Sequence, residues 1–334
     1  MDVLADVLSV TRMGATVVAQ AELVPPWGLD VDPIAEAHVH VVQRGACWLR
    51  TSLDRRPVRL GAGDVVLLRG GVGHSICDDP RTKPGPYREV LAAMPRRLAR
   101  WPRSRAHETT LVLCAKYLFD HVGPHPLTSL LPPLIHLRAA DAERQIQLQL
   151  ALQLLRHEAL DGRSGAALVV PRLVDSLLVF VIRAWLDGQP VGAGGWFGAL
   201  RDPAIARALS LLHQAPQRDW SVGELARQTA QSRATFARRF AELVGEPPVA
   251  YLTRWRMCLA AKLLRETALS LDEIAPRVGY EAAAALSKAF RRTYACTPGQ
   301  LRASARGEAP PADRGARAPP TAKLARRTRS TRSG

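Results

Sequence analysis

The sequence predicts an α+β protein of two domains, with a β-rich N-terminal part followed by helices and an all-α C-terminal part. Three observations predict this class. Short strand patterns separated by glycine-rich turns fill the first third of the chain, helical patterns run from Asp202 to about Tyr294, and basic charge is concentrated in the C-terminal third. A length of 334 residues also suits two domains.

The β pattern is clearest in HVHVVQRGACWLRTSL and VRLGAGDVVLLRGGVGHSI. In the second stretch, two short strands flank Gly61–Asp64, and a further strand is predicted over Thr109–Leu113. Closely spaced strands with glycine-rich turns favour a sandwich or a barrel.

Helical composition begins near Asp141 and predicts helices over Ala142–Leu160 and Leu168–Leu186. The second helix is apolar on most faces, so it must be buried in a core or against a second copy of the chain. The Gly- and Pro-rich stretch Gly188–Gly195 is the predicted domain boundary.

Charge divides the chain in the same way. Residues 1–200 hold 22 Lys and Arg against 19 Asp and Glu, residues 201–302 hold 16 against 9, and residues 303–334 hold 8 against 2. A basic domain beside a nearly neutral one is typical of a nucleic-acid binder that has a separate second function.

Other classes are disfavoured by composition. No uncharged apolar run approaches the roughly 18 residues of a membrane span, and the first ten residues lack the pattern of a secretory signal. Five scattered cysteines fit a reducing compartment better than a disulfide framework. We therefore predict a cytoplasmic protein without a membrane partner.

A helix-turn-helix unit is predicted from SVGELARQTAQSRATFARRFAELVG. Ser221 and Glu224 form a capping-box pattern, and Ser232 lies where a second helix needs its N-cap. Apolar residues at Phe236 and Phe240 supply the inward face. In such a unit the second helix enters the DNA major groove.

The pattern recurs in SLDEIAPRVGYEAAAALSKAFRR, with Ser270 and Glu273 as the capping box. The starts of the two second helices, Ser232 and Ala282, are 50 residues apart. The amphipathic stretch VAYLTRWRMCLAAKLLRET is long enough to space the units rigidly.

From Ser221 to Arg302 the chain resembles the AraC/XylS family of bacterial transcription regulators. The resemblance is carried by WSVGELA, SRATFARRF, GEPPVAYLTRWRMCLAAKLL, SLDEIAPRVGY, LSKAFRR and TPGQLR, in the family's order and spacing. It implies that the two second helices enter successive major grooves on one face of promoter DNA. It also marks three departures from the family's pattern in the second unit, at Ala282, Pro276 and Ala295.

We expect the DNA-facing residues to lie on the two second helices. They are Arg233, Ala234, Ala237 and Arg238 in the first unit, and Ala283, Ala284, Ser287, Lys288, Arg291 and Arg292 in the second. Arginine is the common partner of guanine, whereas alanine offers a base only its methyl group. The first unit is therefore the expected main reader and the second an anchor, in which Ser287 and Lys288 can still offer polar readout.

Residues Ala37–Leu137 resemble the cupin domain that precedes the DNA-binding domain in one branch of that family. The motifs are AHVHVVQRGACWLR, VRLGAGDVVLLRGGVGH and HPLTSLLPPLIHL. This resemblance implies a small β-barrel that binds an effector, followed by dimerisation helices. We expect a sensor and dimerisation domain at 1–188, a linker at 189–200, a DNA-binding domain at 201–303 and a disordered basic tail at 304–334.

Enzymatic cupins bind metal through histidines and an acidic residue. His38, His40 and His74 could supply imidazoles, but Gln43 and Arg44 stand where the acidic residue would follow, which argues against a dioxygenase-type iron site. A softer site for zinc or another transition metal would use His40, His74 and Cys114 or His125. The alternative is that these histidines are hydrogen-bonded core groups.

Thiol sensing of oxidants is a separate alternative at Cys47, Cys77 and Cys114, against buried structural cysteines.

The function predicted is regulation of transcription in response to a small molecule or a stress signal, without catalysis. The further partners expected are RNA polymerase and a second copy of the chain. Two alternatives stay open: a cupin enzyme fused to a DNA-binding module, and a constitutive DNA-binding protein.

Overall fold

The computed structural model describes residues 2–10, 14–93, 109–118, 131–143, 145–161, 164–189 and 196–307. The strands are β1 (Gly14–Leu23), β2 (Gly28–Val31), β3 (Ala37–Arg44), β4 (Ala46–Thr51), β5 (Val58–Gly61), β6 (Val65–Leu68), β7 (His74–Cys77), β8 (Gly85–Pro86), β9 (Thr110–Leu118) and β10 (Leu134–Leu137). Helix α1 (Val3–Val10) precedes them and α2 (Tyr87–Ala93) follows β8.

The strands form two five-stranded sheets, in the orders β1-β9-β3-β6-β10 and β5-β4-β7-β2-β8. In the first sheet β3 pairs antiparallel with both β6 and β9, which places His40 opposite Val66 and Cys114. In the second sheet β7 pairs with both β2 and β4, so that His74 lies between Val31 and Thr51.

Both sheets contribute to one hydrophobic cluster. The alternation of side chains along each strand sends one set inward, and the buried members from the two sheets meet there. The cluster contains Leu23, Trp27, Leu29, Val42, Cys47, Leu49, Leu60, Val66, Leu68, Val72, Ile76 and Val112. The predicted strands around Gly61–Asp64 are confirmed as β5 and β6, whereas β1, β2, β8 and β10 were not predicted.

Helices α3 (Ala139–Glu143), α4 (Ile146–Asp161) and α5 (Ala166–Asp187) follow the sheets. The prediction of a helix from Ala142 differs from the structure, in which α3 and α4 divide that stretch. Helix α5 is buried through Val174, Leu177, Leu178, Val181, Ile182 and Ala184. The Tyr117 hydroxyl on β9 donates a hydrogen bond of 2.5 Å to the Val174 carbonyl, which ties α5 to the first sheet.

The C-terminal part is helical, as predicted. It contains α6 (Trp196–Ala199), α7 (Pro203–Gln214), α8 (Val222–Gln228), α9 (Arg233–Val244), α10 (Pro248–Glu266), α11 (Leu271–Arg277), α12 (Ala283–Tyr294) and α13 (Pro298–Ala305). Helix α13 ends at Ala305, and residues 308–334 of the predicted tail lie outside the described residues.

Two hydrophobic clusters meet on α10. Its first half, including Tyr251 and Trp255, joins a cluster that continues through α8, α9, α5 and the first sheet. Its second half, including Met257 and Leu264, joins a smaller cluster with α11 and α12. A single helix therefore belongs to the cores of both predicted helix-turn-helix units.

Helix α1, which was not predicted, packs against this C-terminal part. Five of its eight residues are buried. The Asp6 carboxylate contacts His213 on α7 at 3.2 Å, and the Arg265 guanidinium on α10 donates to the Val10 carbonyl at 3.4 Å. Among the described residues, none of the helices has the length and apolar character needed to span a membrane.

Candidate nucleic-acid interface and the buried histidine cluster

The first unit consists of α8, a short turn and α9. The Ser221 hydroxyl accepts a hydrogen bond from the Glu224 amide at 3.1 Å and so caps α8. The Glu224 carboxylate does not complete the predicted capping box, because it pairs with the Arg218 guanidinium. The prediction that Ser221 starts the helix is therefore confirmed, and the prediction that Glu224 bonds back to the cap is wrong.

The turn of the first unit places Ala230 at a φ of 52°, a left-handed conformation that is costly for a residue with a Cβ. The Ser232 hydroxyl then accepts from the Thr235 amide at 3.2 Å, which caps α9 as predicted. Phe236 and Phe240 are fully buried on the inner side of α9. The opposite face of α9 is consequently the one that can meet a ligand.

That outer face carries the residues expected to read DNA. Arg233, Ala234 and Arg238 are exposed and Ala237 is half-buried. The Arg238 guanidinium makes a one-turn ion pair of 3.0 Å with Glu242, both side chains being largely exposed. The neighbouring Arg239 instead pairs with Asp202, the N-cap of α7. Arg238 is therefore held by a weak surface pair, whereas Arg239 is tied to the protein.

The second unit repeats this plan with different caps. Ser270 and Glu273 form the complete capping box of α11, as predicted. Gly279 takes the turn position at a φ of 81°, corresponding to Ala230 of the first unit. Ala282 is the N-cap of α12 and provides no side-chain hydrogen bond, so α12 lacks the side-chain cap, worth about 1 kcal/mol, that serine provides for α9 in the first unit. Ala295 closes α12 at a φ of 54°, a conformation that favours glycine.

The outer face of α12 is a basic groove. Five of its residues line one continuous surface depression: Ala284, Ser287, Lys288, Arg291 and Arg292. Lys288, Arg291 and Arg292 are exposed, while Ser287 and Ala283 are half-buried. The structure thus places five of the six expected residues of this unit on one surface, with Ala283 beside it.

The predicted imidazoles come together between the two sheets of the N-terminal part. His40 from the first sheet and His74 from the second lie with their Nε2 atoms 2.7 Å apart, and the His40 Nδ1 atom is 3.0 Å from the Cys114 sulfur. The ring centroid of His38 is 5.2 Å from that of His74. All three histidines are buried.

The contacts assign the protons in this cluster. The Val72 carbonyl, 3.3 Å from the His74 Nδ1 atom, can only accept, so Nδ1 of His74 carries the proton and its Nε2 accepts. His40 then donates through Nε2 and accepts from the Cys114 thiol at Nδ1. Burial lowers the pKa of His74 to about 4 and that of His40 well below its usual value, so both rings are neutral at pH 7.

This geometry differs from that of a formed metal centre. Two imidazole nitrogens bound to one tetrahedral zinc ion would lie about 3.3 Å apart, and both would be unprotonated, whereas here His40 Nε2 carries a proton and donates it to His74 Nε2. Among the described residues, no group of three or more His, Cys, Asp or Glu side chains is arranged to hold a metal ion. The donor set is chemically suited to zinc but would have to separate to admit it, and His125 lies outside the described residues.

The cysteine side chains of this region hold their protons tightly and form little thiolate. Burial raises the pKa of Cys47 and of Cys114 to about 12, and it also raises the pKa of Cys77. Oxidants attack the thiolate, so a thiol that senses them needs a lowered pKa. The pKa values of these three cysteines are raised instead. The structure gives Cys47 and Cys77 the surroundings of buried structural cysteines and leaves Cys114 half-buried.

Two family models match the chain. One, described as Cupin, matches residues 2–187, and another, described as Helix-turn-helix domain, matches residues 225–304. Putative AraC-like transcription regulators from Streptomyces antibioticus and Streptomyces lividans are each 33% identical over 302 residues, covering 90% of this chain and 98% of theirs. The HTH-type transcriptional regulator MtrA from Neisseria gonorrhoeae is 27% identical, with the same coverage of both chains.

Proposed function

The chain belongs to the AraC-like family of DNA-binding transcription regulators, with a cupin domain before its helix-turn-helix domain, and we propose that it regulates promoters by reading DNA with two units and responding to a signal in the cupin domain. The observation that carries this proposal is the repeated construction of α8–α9 and α11–α12 around the shared helix α10. Each unit turns one exposed helix face away from its own core.

In this proposal α9 is the main reader of bases, and α12 anchors the protein and adds a weaker base preference. The exposed arginines Arg233 and Arg238 can each present a bidentate donor to guanine, and Arg238 would give up its surface pair with Glu242 to do so. In the same proposal Arg291 and Arg292 contact phosphates, and Ser287 and Lys288, which line the same groove, contact base edges. Ala234, Ala237, Ala283 and Ala284 provide apolar contacts with thymine methyl groups.

The signal acts in the space between the two sheets, which we propose form the cupin barrel. A cavity of about 20 Å³ lies beside the histidine cluster, and its lining is mainly apolar: Leu29, Val31, His38, His40, Ile76, Tyr87 and Cys114. It has room for about one water-sized group. A larger effector must widen this cavity, and a zinc or other transition-metal ion must separate His40 from His74.

Dimerisation is supported by an apolar stripe on α4. Ile146, Leu150 and Leu154, spaced by four residues, are 69%, 53% and 53% exposed on one side of the helix. Leu168 at the start of α5 is 78% exposed. A row of large exposed apolar side chains is typical of an interaction surface, and two copies of the chain would bury it in a two-fold contact.

The remaining parts of the proposal follow from the family. They are the division into 1–188, 189–200, 201–303 and 304–334, contact with RNA polymerase, a cytoplasmic location where promoter DNA lies, and regulation without catalysis. A cupin enzyme fused to a DNA-binding module and a constitutive DNA-binding protein are the alternatives.

Genome-wide mapping of bound sites, combined with transcript measurements in a deletion strain, tests the proposal. We expect a limited set of bound promoters whose transcripts change on deletion. Uniform binding without transcript changes would indicate a constitutive DNA-binding protein.

A further inference from the structure

Arg256 lies at the point on α10 where the two hydrophobic clusters meet. Trp255, the residue before it, is buried in the cluster of the first unit. Met257, the residue after it, is buried in the cluster of the second. The Arg256 side chain leaves the helix between them and is half-buried. It was not predicted as a functional residue, because nothing in the sequence pattern separates it from the other arginines of α10.

On the side of the first unit, Arg256 holds the loop that precedes α8. Its Nε atom donates to the Pro216 carbonyl at 2.7 Å, and its Nη2 atom donates to the Arg218 carbonyl at 2.9 Å. The loop is itself fixed, because the Trp220 indole donates to the Ala215 carbonyl at 3.0 Å. A two-pronged contact of this kind needs the planar guanidinium fork, which lysine lacks.

On the side of the second unit, the same guanidinium lies against the turn between α11 and α12. A Cβ placed on Gly279 would come within 2.6 Å of the Arg256 Cζ atom. The guanidinium also lies over the Tyr280 ring, 5.9 Å from its centre. Glycine at position 279 thus provides both the left-handed turn and the space that the guanidinium fills.

We propose that Arg256 is the positioning residue that fixes the two helix-turn-helix units relative to each other and thereby sets the base-pair spacing of the DNA site. One rigid planar group contacts the entry loop of one unit and the turn of the other. The polar fork prevents the units from rotating about α10. This inference rests on the proposed reading of DNA by both units.

The consequence for DNA follows from helical geometry. Two reading helices on one face must be about one turn of DNA apart, about 34–36 Å or 10–10.5 base pairs. Adding one base pair rotates the second subsite by about 34° and moves it by about 3.4 Å. A rigidly held pair of units loses contacts at the second subsite, whereas a loosely held pair adjusts.

The test uses the full chain on 40-base-pair duplexes. Wild type first selects its site from a randomised library, and one base pair is then inserted or removed between the two selected blocks. We expect wild type to lose about tenfold or more in affinity for each altered spacing. Arg256→Lys and Arg256→Gln should lose less than about threefold, while binding the natural spacing more weakly than wild type does.

Gly279→Ala provides an independent variant that keeps the Arg256 charge and displaces its guanidinium. Gly245→Ala is its matched control, because Gly245 also has a positive φ, of 86°, but a Cβ there meets no atom within 4 Å. We expect Gly279→Ala to tolerate altered spacing and Gly245→Ala to keep the wild-type penalty. Circular dichroism confirms that each variant is folded.

The proposal is overturned if folded Arg256→Lys, Arg256→Gln and Gly279→Ala all keep the wild-type spacing penalty. If wild type selects a single block of bases, the spacing proposal is also overturned, although DNA reading by one unit is then still supported. Absence of any enriched sequence would overturn the proposed function itself.

Discussion

The Oδ2 atom of Asp6, in the first helix of the chain, lies 3.2 Å from the Nδ1 atom of His213, in the first long helix of the C-terminal part. The other ring nitrogen of His213 is 2.7 Å from the Tyr251 hydroxyl, and the ring stacks on Trp255 at 4.0 Å. Burial, with Arg254 nearby, lowers the pKa of His213 to about 3. The ring is therefore neutral at pH 7, and its contact with Asp6 is a hydrogen bond that joins the N-terminal helix α1 to helix α7 of the C-terminal part.

Replacing Asp6 tests that junction. Asp6→Ala removes the acceptor and leaves a buried N–H without its partner, so we expect the free energy of unfolding to fall by about 1–2 kcal/mol. Asp2→Ala is the control, because Asp2 caps the same helix through the Ala5 amide without contacting His213. Urea unfolding of both variants measures the difference, and equal losses would mean that only the helix itself matters.

Acid should destabilise the fold through its buried neutral histidines. Burial lowers the pKa of His38 and His74 to about 4 and that of His213 to about 3. The unfolded chain protonates these rings near pH 6.5, so it binds more protons than the folded chain from there down to the folded values. The free energy of unfolding therefore falls as the pH falls through that window. The raised pKa of Asp6 offsets a part of this loss at the acidic end.

Between pH 7 and pH 5 each such ring should contribute a loss of about 2 kcal/mol. Urea unfolding at the two pH values measures this loss in the free energy of unfolding. His38→Gln should reduce the loss by the contribution of one ring. His157→Gln, at an exposed position on α4, is the matched control for replacing a histidine outside the buried cluster. A fold equally stable at both pH values would refute the assignment of neutral buried rings.

The reader helix is tested by Arg238→Ala. Loss of one bidentate contact with guanine should cost about 1–3 kcal/mol of specific binding and relax the preference at that base. Arg239→Ala is the neighbouring control, because Arg239 is paired with Asp202. Competition binding on a randomised-site library shows the difference. If Arg238→Ala binds as tightly and selectively as wild type, α9 does not read bases through this arginine.

The alanine face of α12 is tested by adding a polar group. Ala284→Gln places an amide in the groove that Lys288 and Arg291 also line, and we expect it to change the bases preferred beneath the second unit. Ala285→Gln is the control, since Ala285 is exposed but outside that groove. An unchanged preference with tight binding for Ala284→Gln would show that this face points away from DNA.

The dimer face is tested at the centre of its stripe. Leu150→Asp places a charge among exposed apolar side chains and should shift a dimer toward monomer in sedimentation, because burying that charge is costly. Gln153→Asp, on the same helix at a position that is already polar and exposed, should not. If wild type sediments as a monomer at micromolar concentration, the stripe has another partner.

The sequence predicted best those features that local chemistry encodes. Caps at Ser232 and Ser270 marked helix starts that the structure confirms. Helix α1 was missed because eight residues carry too little periodicity. The Asp6–His213 contact could not be predicted, since it joins residues 207 positions apart. The cupin resemblance pointed to His40 and His74 as neighbours. Their direct hydrogen bond could not be predicted, because it depends on the distance between the two sheets.

The affinity of the full chain for a selected promoter duplex, compared with a scrambled duplex of equal composition at one fixed salt concentration, tests the central claim most directly. Phosphate contacts contribute equally to both duplexes, so the ratio isolates base reading. A sequence-specific regulator should bind its promoter about 10³-fold or more tightly than the scrambled duplex. A ratio near one would contradict the account and indicate a basic protein that binds any DNA.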